Sequence, residues 1–140
     1  MQRRAFIKSG CVLALATGCG VVLSSVSGCS PGIIYKTGII ENKIAVPLTL
    51  FSNGKLQIIR PAGMQFDIAL RKEDDTTYSS FLMRCTHAEN QLLSTGTGFT
   101  CALHGSVFNA DGSVTKGPAE YPLKKYRTEV IEENIIIHLN

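Results

Sequence analysis

Two cysteines and two histidines form an interleaved pattern in the second half of the chain. Cys85 and His87 are separated by one residue, and after thirteen further residues Cys101 and His104 are separated by two. Thiolates and imidazoles are ligands for transition metals, and each half of the pattern supplies one of each kind. Zinc modules more often group like ligands in pairs. The order therefore favours a site that draws both ligand types from each of two loops.

Two other interpretations of these residues stay open. Cys85 and Cys101 could form a disulfide if the domain lies in an oxidising compartment, although the two histidines at matching offsets would then have no role. A zinc ion could also be held by the four side chains, since two thiolates and two imidazoles are an accepted zinc ligand set.

The residues after the second pair carry a resemblance to a known family. Gly105 and Ser106 follow the second histidine directly, and a Gly-Pro pair ending in Pro118 lies further on. Together with the cysteine and histidine pattern, this resembles the Rieske proteins, in which two cysteines hold one iron of a [2Fe-2S] cluster and two histidines hold the other. The resemblance extends over about residues 78–130.

The resemblance implies the ligands of one [2Fe-2S] cluster. Cys85 and Cys101 match the ligands of the buried iron, and His87 and His104 match those of the outer iron. An oxidised cluster with this ligand set is neutral, so it is easier to reduce than one held by four thiolates, and histidine ligation raises the potential.

Three further residues are implied to surround the cofactor. Ser106 matches a position whose hydroxyl donates to a cluster sulfur, and Gly105 precedes it. Pro118 matches a loop that covers the cluster.

The chain departs from the high-potential Rieske subunits of quinol-oxidising complexes at three positions. Asn90 and Leu103 stand where those proteins carry an additional cysteine in each loop, and Phe108 stands where they carry a tyrosine. The resemblance therefore implies a potential below that of the high-potential type and above that of the soluble ferredoxin type.

The elements that must position these residues are short and extended. Five candidate strands are rich in Ile, Val, Leu, Phe or Tyr and are bounded by turn residues; they lie at residues 33–40, 44–51, 55–60, 65–70 and 78–84. Two hairpins are predicted over 106–115 and 127–139, and residues 85–98 and 116–123 are predicted as loops. We predict an all-β fold, a Rieske-type antiparallel β-sandwich or small barrel, with loops that build the cluster-binding subdomain.

The N-terminal segment has the order of a bacterial export signal. Arg3, Arg4 and Lys8 are followed by an uncharged run up to Gly28. The arginine pair resembles a twin-arginine signal, whose translocase accepts folded proteins. We predict a signal peptide over residues 1–28 and a Rieske domain over residues 33–140.

The apolar run ends in Val-Ser-Gly before Cys29, which resembles a lipobox. A lipid on Cys29, followed by a linker up to residue 32, would tether the domain to a membrane. The alternative is an uncleaved transmembrane helix, since about twenty apolar residues span a bilayer. Both interpretations place the domain on the extracytoplasmic, periplasmic face of a bacterial membrane.

The charge balance argues against nucleic acid as a partner. The signal segment holds three of the 14 Lys and Arg residues and none of the 11 Asp and Glu residues, so the rest of the chain is formally neutral. The basic excess therefore belongs to the export signal. The predicted partners are redox proteins or quinol, together with the membrane.

The number of histidines limits the chemistry that the chain can perform. A Rieske oxygenase needs a second iron held by two histidines and a carboxylate, and beyond His87 and His104 only His138 remains. We therefore predict no catalytic residue and an electron-transfer protein, or the electron-transfer subunit of an oxidoreductase. The alternatives are a quinol-oxidising Rieske subunit of a cytochrome bc-type complex and a binding domain without redox function.

Overall fold

A computed structural model describes residues 34–140 of the chain. The predicted signal peptide, the lipidation site at Cys29 and the linker lie outside the described residues. Within residues 34–140 no helix is long and apolar enough to cross a membrane.

The described part of the chain is built from short strands, as an all-β fold requires. The strands are β1 Ile34–Thr37, β2 Lys43–Pro47, β3 Leu56–Pro61, β4 Ile68–Lys72, β5 Tyr78–Leu82, β6 Leu93–Ser94, β7 Gly98–Thr100, β8 Val107–Asn109, β9 Val114–Lys116, β10 Lys125–Ile131 and β11 Asn134–His138. A single-turn 3-10 helix spans Leu48–Phe51. The predicted fold class is confirmed.

The strands form one large and one small sheet. The large sheet has the order β1-β3-β4-β5-β10-β11-β2, and its edge strands β1 and β2 approach one another, so the sheet is nearly closed. The small sheet has the order β6-β7-β8-β9. The large sheet supplies a barrel-like base, and the small sheet belongs to the part of the chain that carries the cysteines and histidines.

One strand pair differs from the predicted antiparallel arrangement. β1 pairs with β3 in parallel, with Ile34 opposite Ile58, whereas the other pairs run antiparallel. Parallel neighbours need a crossover connection. The intervening β2 and the 3-10 helix provide it.

The predicted strand over residues 44–51 is too long, and two strands were missed. The strand ends at Pro47, which has no N–H to donate to a ladder, and the 3-10 helix follows. β6 and β7 lie at or beside the segment predicted as a loop. They have two and three residues, too few to show a period-two pattern.

The central strands β4 and β5 separate two hydrophobic cores. On β4, Ile68 and Leu70 pack into the first core, which fills the large sheet, and Ala69 packs into the second. On β5, Tyr78 belongs to the first core and Phe81 to the second. This follows from the alternation of side chains between the two faces of a strand.

The same alternation delivers the two cysteines to the second core. Phe81, Met83 and Cys85 follow one another in steps of two residues, and all three are buried in that core. Phe99 and Cys101 show the same two-residue step after β7. Each cysteine thus continues the buried face of the strand that precedes it.

Gly98 on β7 lies unusually close to the neighbouring strand. A Cβ atom at this position would lie 2.2 Å from the backbone oxygen of Phe108 on β8. The absence of a side chain therefore allows the contact between β7 and β8, from which Cys101 and the loop after it emerge.

We expect Gly98→Ala to lower the free energy of unfolding by about 1–3 kcal/mol, because the two backbones must move apart. The matched control is Gly54→Ala, where a Cβ meets nothing within 4 Å and little change is expected. Denaturant unfolding of the full chain checks this. Equal stability of the two variants would contradict the close approach of β7 and β8.

Candidate metal centre

The first loop runs from Cys85 to Asn90 and is closed by its own backbone. The N–H of Cys85 donates to the carbonyl oxygen of Asn90 at 2.9 Å, and below it the N–H of Leu92 donates to Met83 at 2.9 Å. These bonds fix the base of the loop. His87 lies at its exposed tip.

The second loop runs from Cys101 to Ser106 and is closed in the same way. The N–H of Cys101 donates to the carbonyl oxygen of Ser106 at 2.9 Å, and the N–H of Gly105 donates back to Cys101 at 3.0 Å. Gly105 has a φ of 78°, in the left-handed region that glycine adopts without strain. His104 lies at the exposed tip.

A third loop, residues 117–123, is attached to both of the others. The Thr86 hydroxyl donates to the carbonyl oxygen of Tyr121 at 2.6 Å, and the N–H of Ala119 donates to Oγ of Ser106 at 3.0 Å. Pro118 follows a cis peptide bond and is exposed. The predicted cofactor residues Gly105, Ser106 and Pro118 are thus placed on two loops joined by a hydrogen bond.

The two cysteine side chains lie together inside the protein. Cys85 and Cys101 are each 1% exposed, and both are free thiols in the structure. The neighbouring Cys85 side chain also lowers the pKa of the Cys101 thiol. No disulfide joins Cys85 to Cys101, in contrast to the alternative interpretation that these two cysteines form one.

The two histidine rings lie together at the surface. The ring centroids of His87 and His104 are 5.0 Å apart, and the rings are nearly perpendicular at 86°. Among residues 34–140, no three His, Cys, Asp or Glu side chains gather closely enough to surround one metal ion. The four predicted ligands meet instead as two like pairs, one buried and one exposed.

This arrangement fits the donor set of a mixed-ligand binuclear cluster. Such a cluster takes its two sulfur ligands on one iron and its two nitrogen ligands on the other, so it needs pairs of like ligands side by side. A single zinc ion would need all four around one point.

The environment of Cys101 favours its thiolate form. Burial raises the pKa of the thiol, but hydrogen bonds from the backbone N–H groups of His104 and Leu103 and from the Asn90 side chain outweigh it, and the pKa lies below its ordinary value. Metal ligation requires a deprotonated thiol. The lowered pKa is thus consistent with the predicted role of Cys101 as a ligand.

Sequence reasoning identified Asn90 only as the place of an absent cysteine. In the structure its Nδ2 lies 3.6 Å from Sγ of Cys101. A signal was present in the chain: Asn90 follows Cys85 by five residues, as Ser106 follows Cys101. Thr86 was also missed, because its partner is a backbone carbonyl on a distant loop.

His138 lies on β11 of the large sheet, outside the three loops. It is buried on β11, where its Nε2 is 2.8 Å from Glu129 and its ring contacts Arg127. The hydrogen bond with His138 lowers the pKa of the Glu129 carboxyl.

Comparison with known proteins agrees with this geometry. Residues 47–127 match the family described as Rieske [2Fe-2S] domain. A 69-residue stretch is 38% identical to cytochrome b6-f complex iron-sulfur subunit 1 of Synechocystis sp., covering 47% of this chain and 39% of that protein. A 39-residue stretch is 49% identical to cytochrome b6-f complex iron-sulfur subunit 3 of Nostoc sp., covering 28% of this chain and 22% of that protein.

A solved structure shows the same fold. The complex of reduced oxygenase and oxidised ferredoxin in carbazole 1,9a-dioxygenase contains a chain that matches with a TM-score of 0.54 at 20% identity, covering 71% of this chain and 95% of that one. The matches to the two cytochrome b6-f subunits span less than two fifths of the length of either relative.

Proposed function

Because the chain belongs to the Rieske [2Fe-2S] domain family, we propose that it transfers single electrons through a cluster held by Cys85, His87, Cys101 and His104. The observation that carries the proposal is the meeting of these side chains as two like pairs, thiols inside and imidazoles outside. A [2Fe-2S] cluster supplies reversible one-electron chemistry when bound.

The position of the histidines supports transfer to another protein. His87 and His104 are exposed, so a partner that docks at this end of the domain comes close to the ligands of the outer iron. Leu103 beside them is 60% exposed, and Tyr121 on the third loop is 68% exposed. Exposed apolar side chains next to the ligands favour contact with a protein or quinol partner.

Ser106 is proposed as a donor toward the cluster. Its Oγ is fully buried and already accepts the N–H of Ala119, which leaves the hydroxyl proton free to donate. Gly105 and Pro118 are proposed to shape the two loops around the cofactor. No catalytic residue is proposed for this chain.

The partner is proposed to be a membrane oxidoreductase or a mobile redox protein. The relatives described as iron-sulfur subunits belong to cytochrome b6-f complexes, which supports a role as subunit of a complex of this kind. The same likeness favours the second candidate, a quinol-oxidising subunit of a cytochrome bc-type complex. Asn90 and Leu103, where that type has a disulfide, favour the carrier.

The domain is proposed to act on the extracytoplasmic face of a bacterial membrane, anchored by a lipid on Cys29. The support is the order of the N-terminal segment, in which a basic start and an apolar run precede a cysteine. An electron carrier tethered in this way would stay within reach of membrane-bound partners.

We expect the purified protein to contain two iron and two acid-labile sulfide per chain, because the four ligands match one cluster. Cys85→Ser and His104→Ala should lose the cluster and its visible absorption. His138→Gln, a histidine away from the loops, is the matched control and should keep both. Metal analysis and absorption spectra check this; stoichiometric zinc without sulfide would reject the proposal and favour the zinc site.

We expect Ser106→Ala to lower the midpoint potential, because a donor to the cluster stabilises the reduced form more than the oxidised one. A difference of about 1 kcal/mol between the two forms corresponds to roughly 40 mV for one electron. Phe108→Tyr should raise the potential by a similar or smaller amount. Voltammetry of wild type and both variants at one pH measures these midpoint potentials. An unchanged midpoint in Ser106→Ala would show that this hydroxyl does not face the cluster.

We expect Arg3→Lys combined with Arg4→Lys to stop export while the cluster still forms inside the cell, since the arginine pair is a recognition signal for the translocase and no part of the domain.

Cys29→Ala should leave the domain folded and prevent acylation. Cell fractionation and mass spectrometry of the mature N-terminus measure both. An unlipidated protein that stays in the membrane would favour the transmembrane alternative.

A further inference from the structure

Each of the two cysteine loops is closed by a backbone hydrogen bond of the same kind, so the positions in one loop can be matched to those in the other. In each loop the cysteine N–H donates to the carbonyl oxygen of the residue five positions later, at 2.9 Å in both. That residue is Ser106 in the second loop and Asn90 in the first. Asn90 thus occupies in the first loop the place that Ser106 occupies in the second.

The side chain of Asn90 reaches across to the other loop. Its Nδ2 lies 3.6 Å from Sγ of Cys101 and 3.2 Å from the carbonyl oxygen of Gln91. The larger radius of sulfur makes 3.6 Å a hydrogen-bonding distance. An amide NH₂ group has two donors, so it can serve both acceptors at once.

We propose that Asn90 is a residue that tunes the redox potential, by donating a hydrogen bond from the first loop to the thiolate ligand Cys101 of the second. This rests on the proposed ligation of the cluster by Cys101. Asn90 acts through that ligand and is a positioning residue, not a catalytic one.

The direction of the effect follows from charge. Reduction adds one negative charge to the cluster and its ligands, and part of that charge falls on the thiolate sulfurs. A donor to such a sulfur stabilises the reduced form more than the oxidised form. Cys101 is 1% exposed, so water does not screen the interaction and its strength is greater than at the surface.

The bond is also a link between the loops. Within residues 34–140, the bond from Asn90 to Cys101 is the side-chain hydrogen bond that joins the first loop to the second. Asn90 therefore holds Cys101 close to Cys85 as well as polarising its sulfur, and the two effects are separable. The first changes the retention of the cluster, and the second changes the midpoint potential.

The test uses the full chain with its cluster in wild type, Asn90→Leu and Gln91→Met. Leucine removes the amide donors at nearly constant volume. Gln91 carries the same amide group one residue along the chain, but its side chain bonds to Asp67 and Leu92 instead of a cysteine. It is therefore the matched control for loss of an amide beside the loop.

We expect Asn90→Leu to lower the equilibrium constant for one-electron reduction about threefold to tenfold, which is a midpoint lower by about 28–59 mV. The electron paramagnetic resonance spectrum of the reduced cluster should keep its form, because the four ligands are unchanged. Gln91→Met should leave the midpoint where it is in wild type. If Asn90→Leu does not retain the cluster, Asn90→Ala, which adds no volume, takes its place.

An unchanged midpoint in an Asn90 variant with an intact spectrum would overturn the proposal, and so would an equal decrease in Gln91→Met. A wild-type protein without the spectrum of a histidine-ligated [2Fe-2S] cluster would instead reject the proposed function. The two failures are thus distinguishable.

Discussion

The burial of the Cys85 and Cys101 sulfurs in one apolar core is the constraint on which the other features of the site depend. Both thiols are 1% exposed and lie among the aromatic side chains of Phe81, Phe99 and Phe108. A thiolate in such a place is costly unless N–H donors or a metal compensate it. The loops supply the donors, and the histidines at the loop tips lie at the surface.

The strands before the loops impose this burial. Side chains alternate between the two faces of a strand, so a cysteine an even number of residues after a buried phenylalanine is buried as well. Cys85 is four residues after Phe81, and Cys101 is two after Phe99. Because β5 lies between two cores, its register also fixes which core receives the sulfur, and a shift by one residue would point Cys85 away from Cys101.

This dependence explains which features could be predicted from sequence. The hairpin of β10 and β11 is local, and it was predicted within a few residues. The pairing of β1 with β3 and the donation from Thr86 to Tyr121 join residues far apart in the chain. No local pattern marks such contacts. The pairing of cysteine with cysteine and histidine with histidine was implied by the family resemblance, but no local pattern of the chain shows it by itself.

Three hydrogen bonds connect the three loops in pairs. Asn90 links the first to the second, Thr86 links the first to the third, and Ser106 links the second to the third. A disulfide at the same place would depend on an oxidising compartment, whereas these hydrogen bonds form equally well in a reducing one.

A domain braced in this way can hold its loops in position in a reducing compartment, as the proposed twin-arginine export of a folded domain would require. Asn90, at the position where the high-potential type has a cysteine, is therefore compatible with the proposed twin-arginine export, because its hydrogen bond joins the loops without any step that needs oxidising surroundings.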